Sequence, residues 1–239
     1  MNTETHEHIV KSYDTELARL TGEIVSMGDF AGMQLTRAMQ ALATRDGIAA
    51  QRVIDNDDTL DAKERQISAD VLRLLALRQP FAGDLREVLA ALRIAADIER
   101  IGDYAASVAK RSIVLNESAP VPLATGLPAL ATLAGDMLHD VLHAYETRDA
   151  RAAALVWERD DKLDARYTGL FRELLTYMIE DPHSISACTH LLFIAKHLER
   201  IGDHATNIAE NIWFAAYGST LTAKEIQRMR GVSHPTARP

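Results

Sequence analysis

A chain of 239 residues with a formal net charge of -8 has room for one large domain or two of about 100 residues, and its acidic balance argues against a nucleic-acid partner. Hydrophobic residues make up 47% and aromatics only 5%, with much of the apolar share in Ala and Leu, which favours helix over sheet. Cys188 is the only cysteine, so no intrachain disulfide forms, and no apolar stretch approaches the roughly 20 residues of a membrane span.

The N-terminus, Met1 to His8, is polar and acidic and lacks the basic, apolar pattern of a secretory leader. A cytoplasmic protein is expected, peripheral to a membrane only through partners. From there apolar residues recur at three- and four-residue steps, the helix period. Six long helices are predicted, near 6–44, 46–78, 80–115, 124–147, 149–180 and 184–217. Asp46 and Asp149 each follow Thr-Arg and are placed to cap the helices they open, and Ser184 follows Pro182 as the cap of the last. At roughly 1.5 Å per residue the first helix reaches about 58 Å, so an elongated molecule is expected. The linker is read at 116–128, which holds three prolines and a glycine. Beyond Gly218 the periodicity fades. A short helix is placed at 222–230, and 218–239 is read as a mobile tail.

The second half repeats the first. Residues 94–110 read IAADIERIGDYAASVAK and residues 194–210 read IAKHLERIGDHATNIAE, with nine of seventeen positions identical. Upstream, Asp57-Asp58-Thr59-Leu60-Asp61 matches Asp160-Asp161-Lys162-Leu163-Asp164. A period near 100 residues with three helices per copy means an all-α fold of two tandem three-helix bundles, 1–117 and 118–217, related by internal duplication.

The chemistry lies in the acidic pairs. Glu99 and Asp103, and Glu199 and Asp203, are four apart and share a helix face. In the first copy Leu85, Val88, Leu92 and Ala96 lead along that face into the acids, and in the second Ile185, Cys188, Leu192 and Ala195 do so. A separate apolar stripe (Ile94, Ile98, Ile101, Ala105, Val108, and Ile194, Leu198, Ile201, Ala205, Ile208) faces elsewhere. A helix with two apolar stripes has neighbours on both sides, so the carboxylates are expected half-buried, where a cation is the usual partner. Gly102 and Gly202 weaken their helices, a cost that close approach of another backbone or a ligand would explain. Asp57 with Asp61, and Asp160 with Asp164, give the same pair on the preceding helix. Four carboxylates from two antiparallel helices make a hard, oxygen-rich metal site. The competing reading is a solvated charge run neutralised by Arg100 and Arg200. Repetition in both copies favours the metal.

Other candidates are weaker. His139 and His143 share a face with Asp136 and Asp140. His197 and His204 flank the second acidic pair but stand where the first copy has Asp97 and Tyr104, so neither is an obligatory ligand. No glycine-rich phosphate loop occurs. The sole Glu-x-x-His, Glu180 to His183, spans Pro182, which disfavours a carboxylate-bridged metalloenzyme of the ferritin type. A metal-free helical scaffold is the third reading.

These residues resemble the PhoU family of phosphate-uptake regulators. The resemblance covers nearly the whole chain and rests on the twin ERIGD motifs, the upstream acidic pairs, and flanking text such as Arg78-Gln79-Pro80, Met137 to Leu142 and Thr176 to Asp181. It implies pseudo-two-fold bundles, a non-enzymatic and usually dimeric cytoplasmic regulator, and metal ions (iron, zinc, manganese or magnesium) at E(D)xxxD motifs. Carried over residue by residue, the metal positions are Asp57, Asp61, Glu99, Asp103, Asp160, Asp164, Glu199 and Asp203. It also implies restraint of the phosphate ABC transporter through its ATPase PstB, and of the sensor kinase PhoR that controls the phosphate-starvation genes.

Overall fold

Two aspartates open equivalent helices in the same way. The Asp46 carboxylate accepts from the backbone N–H groups of Ile48 and Ala49, and Asp149 accepts from those of Arg151 and Ala152. Each follows an arginine in the left-handed region, Arg45 at φ 56° and Arg148 at φ 55°, which turns the chain sharply out of the preceding helix. The computed structural model describes residues 3–78, 80 and 82–232. Among the described residues there are nine α-helices and no strand.

The first bundle contains α1 (Thr3–Thr44), α2 (Gly47–Asp55), α3 (Asp57–Arg78) and α4 (Ala82–Leu115). The second contains α5 (Leu127–Glu146), α6 (Ala150–Trp157), α7 (Asp160–Glu180) and α8 (Ile185–Tyr217). At ~1.5 Å per residue, the 42 residues of α1 extend for about 63 Å. The bundles join through α1 against α5 and α4 against α8, and their buried side chains form one continuous core. Between α4 and α8 the contacts descend on one helix as they rise on the other (Asp97 to His204, Tyr104 to His197, Arg111 to His190), so these helices are antiparallel.

Two expectations need correction. The helices placed at 46–78 and 149–180 are each two, interrupted at Asn56 and at Glu158–Arg159. At the first break Thr59 N–H turns to Asn56 C=O, and at the second Lys162 N–H turns to Arg159 C=O, so a three-residue step replaces the four-residue ladder for one turn. Each new helix starts with two aspartates, where a helix dipole favours negative charge. Ser184 does not cap α8. Its hydroxyl donates to Asp181 C=O, and the Asp181 carboxylate accepts from His183 N–H, so Asp181 organises the turn. The short helix placed at 222–230 is present as α9 (Ala223–Val232), and Leu221 and Ile226 are buried in the core. Residues 233–239 lie outside the described residues.

Candidate metal centres

The acidic motifs meet because a leucine fits a glycine. Leu60 stands between Asp57 and Asp61 on α3, and a Cβ added to Gly102 on α4 would lie 2.6 Å from its Cδ1. Leu163 stands in the same place between Asp160 and Asp164 on α7 and presses still closer to Gly202 on α8. Both leucines are fully buried. The glycine cost is therefore offset by a leucine side chain, rather than by the backbone or ligand expected from sequence. Each leucine locks the register in which the carboxylates beside it face Glu99/Asp103 or Glu199/Asp203.

The structure brings three of four carboxylates together in each bundle. Oxygens of Asp61, Glu99 and Asp103 lie within 4.8 Å of one another, as do those of Asp160, Asp164 and Asp203. Asp57 and Glu199 stand beside these triplets. Glu199 is buried and held by an ion pair to Lys196 Nζ. Asp57 is near enough to Asp103 and Asp61 to feel their charge, with Lys110 opposing them.

Burial is the first cause that pushes Asp57, Glu99, Asp160, Glu199 and Asp203 upward, and neighbouring carboxylates add to it. Asp160 is raised to about 6 by burial and then by Asp164, Asp203 and Glu199. Asp57 and Glu99 are raised by burial and then by Asp103. Glu199 is raised by burial, with Lys196 pulling back, and Asp203 by burial against Lys196 and Arg200. Buried Asp160 Oδ1 and Glu199 Oε2 have no hydrogen-bond partner. Convergent, repelling oxygens with orphaned lone pairs are the donor set that a hard cation accepts.

The arginines of the competing reading are also engaged. Arg100 reaches Glu99 (3.5 Å) and Asp103 (3.0 Å), and Arg200 lies 3.6 Å from Asp203. Both arginines are exposed, however, and pair from the rim. The apolar stripe leading to the acids is only partly covered: Val88, Cys188 and Ala195 are buried, whereas Leu85 and Ile185 are exposed. His139 and His143 are exposed, and Asp140 is taken by Arg159 at 2.6 Å, so these four do not gather. Sequence reasoning missed Lys110 and Lys196. Setting the repeats side by side exposes the second, which replaces Ala96.

The family model for the PhoU domain matches residues 24–112 and again 127–212, so both bundles are covered. The chain belongs to the PhoU family. It is 56% identical over 221 residues to a protein of Xylella fastidiosa, covering 92% of this chain and 93% of the relative. It is 49% identical over 219 residues to one of Caulobacter vibrioides, covering 91% and 95%. Each is named a phosphate-specific transport system accessory protein PhoU homolog. The crystal structure of PhoU from Pseudomonas aeruginosa matches with a TM-score of 0.84 at 36% identity, over 87% of this chain and all of that one. The phosphate transport system regulatory protein PhoU from Streptococcus pneumoniae matches with a TM-score of 0.82 at 30% identity, over 88% and 99%. The PhoU frame thus carries two carboxylate clusters, one per bundle, on its α3–α4 and α7–α8 contacts.

Proposed function

We propose that this chain is a non-catalytic regulator of phosphate-specific transport that restrains uptake and keeps the phosphate-starvation response off when phosphate is plentiful. The observation that carries the reading is near full-length similarity to relatives named as accessory proteins of that transport system. The partners assigned are the transporter ATPase PstB, the sensor kinase PhoR and a second copy of the chain. In this reading the protein works in the cytoplasm without nucleic acid and meets the transporter through protein contacts; among the described residues no helix is long and apolar enough to cross a membrane.

Metal binding at the two carboxylate clusters is part of the proposal. Asp61, Glu99 and Asp103 hold one site with Asp57 beside them, and Asp160, Asp164 and Asp203 hold the other with Glu199 beside them. The orphaned oxygens of Asp160 and Glu199 support this reading. When bound, a cation would neutralise the clustered carboxylates and tie α3 to α4 or α7 to α8. All-oxygen ligands suit iron, manganese or magnesium better than zinc, which usually recruits nitrogen or sulfur. The ion pairs of Arg100, Lys196 and Arg200 favour a metal-free scaffold instead, and elemental analysis of protein purified without chelator or affinity metal decides between them.

The regulatory reading is tested by deleting the gene and following a phosphate-responsive reporter in phosphate-rich medium. Derepression is expected, and complementation should reverse it. A deletion strain that still represses the reporter removes the regulatory claim.

A further inference from the structure

The antiparallel seam between α4 and α8 carries a polar pair every seven residues. Asp97, Tyr104 and Arg111 on α4 face His204, His197 and His190 on α8. The His204 Nδ1 lies 2.8 Å from the Asp97 carboxylate, and the His197 ring stacks on Tyr104 with centroids 5.5 Å apart. The internal duplication exchanges these two pairs, because Asp97 corresponds to His197 and Tyr104 to His204. The third pair has no such image. The positions matching Arg111 and His190 are Asn211 and Ala90, so the polar residues at that end are not relics of the repeat.

Arg111 is a half-buried cation in a chain of net charge -8, yet among the described residues no carboxylate pairs with it. Its Nε donates to His197 Nε2 at 3.3 Å, and its Nη1 lies 3.4 Å from His190 Nδ1. Both distances exceed the roughly 2.7–2.9 Å of a charge-assisted bond to an oxyanion. The guanidinium carbon sits 4.0 Å over the Phe193 ring, which fixes the plane of the fork from one side. A guanidinium offers five N–H donors, and the two imidazoles engage one each. Lys110, the next residue back, acts on Asp57 and does not share this site. Burial, and then Arg111, push His197 down to about 4, so it serves Arg111 as a neutral acceptor. A tetrahedral oxyanion suits this set: it accepts two parallel N–H bonds from the guanidinium donors that the imidazoles leave free, while the two rings and Phe193 hold the fork in place.

We propose that Arg111, His190 and His197 form a binding site for a phosphate group, borne by inorganic phosphate or a small phosphate monoester. The oxyanion class follows from the donors, while its assignment to phosphate rests on the proposed role in phosphate transport. The site lies on the seam that joins the two bundles, so its occupancy acts on their packing.

The test is a titration of inorganic phosphate into the isotope-labelled full chain, both metal-loaded and chelator-treated, following the imidazole signals of His190 and His197. A saturable response is expected in both forms, which separates this site from phosphate carried on a metal. Arg111→Gln should weaken binding by about tenfold or more, because it removes the charged fork. Arg111→Lys, which keeps the charge and changes the packing least, should bind more weakly than the wild type and more tightly than Arg111→Gln. Glycerol phosphate in a parallel titration distinguishes the two sources, the tighter ligand being the one assigned. No saturable response at tens of millimolar phosphate overturns the site, and so does an equal response in folded Arg111→Gln. Because purified protein is used, this result is independent of the reporter experiment, and either proposal can fail alone.

Discussion

The two carboxylate clusters use the same four sequence positions and assemble different triplets. In the first bundle Glu99 joins Asp61 and Asp103, and Asp57 stands aside. In the second bundle Asp160 joins Asp164 and Asp203, and Glu199 stands aside. The lysines account for the difference. Lys196 stands where the first copy has Ala96, and it engages Glu199. Lys110 tempers Asp57, but the matching position is Glu210, which accepts from the Trp157 indole N–H, so Asp160 has no such cation and rises furthest. The duplication preserved the leucine-into-glycine contact that fixes the backbone, and single lysine positions then separated the electrostatics of two otherwise equal sites.

The largest expected effect is on metal content. If the clusters are independent sites, Glu99→Ala with Asp103→Ala should lower bound metal by about half and leave the second site loaded, since only the first triplet loses two of its hard oxygen ligands. Glu199→Ala with Asp203→Ala should do the same in reverse. Single changes sharpen the contrast: Asp160→Asn should deplete its site more than Asp57→Asn depletes the other, because only Asp160 belongs to its triplet. Elemental analysis reads all four proteins. Loss of all metal from either double variant would mean one shared site.

The next effect is on stability. Alanine at Gly102 places a Cβ 2.6 Å from Leu60 Cδ1, and at Gly202 it presses closer still on Leu163, with Met137 Cε also 3.7 Å away. Overpacking costs about 1–3 kcal/mol, against about 1 kcal/mol gained from helix propensity. Both variants should be less stable than the wild type, Gly202→Ala more so, as read from denaturant midpoints. A stabilised Gly202→Ala protein would show that the leucine yields freely and does not set the register of the acids.

Much of this frame was legible because the repeat aligns the twin ERIGD and Asp-x-x-Leu-Asp motifs, and because helix periodicity is strong throughout. The two helix breaks were not legible. Buried Val53, Leu60, Ile67 and Leu74 keep a seven-residue spacing straight across Asn56, so the apolar pattern gives no sign that hydrogen bonding is interrupted. The covering of the stripe ahead of the acids was overread, because Leu85 and Ile185 lie near helix starts, where each keeps more than a third of its surface exposed. The lysines escaped notice because their aim depends on packing between helices. Spacing identifies shared faces, but it does not tell which carboxylate of four is drawn aside.

The smallest effect is a pH dependence, and it compares the two clusters directly. For Asp160 the folded value of about 6 lies above the unfolded value of about 3.9. Between them the folded chain binds more protons than the unfolded one, so metal-free protein loses stability as pH rises through roughly 4 to 6. Asp57, Glu99, Glu199 and Asp203 are raised in the same direction and add to that slope. His197 opposes it. Its folded value of about 4 lies below the unfolded value near 6.5, so the unfolded chain binds more protons and stability rises with pH through that window. The slope of a single melting series therefore mixes two signs, and differences between proteins isolate each. Subtracting chelator-treated from metal-loaded melts cancels His197 and leaves the carboxylates, because a bound cation favours their ionised forms. The gap in melting temperature should widen from pH 4 to 6. In chelator-treated protein, Asp160→Asn should flatten the decline more than Asp57→Asn does, since Lys110 already tempers Asp57. Equal flattening by the two variants would erase the asymmetry drawn from the lysines, and superimposable melts with and without chelator across this range would remove the metal from both clusters.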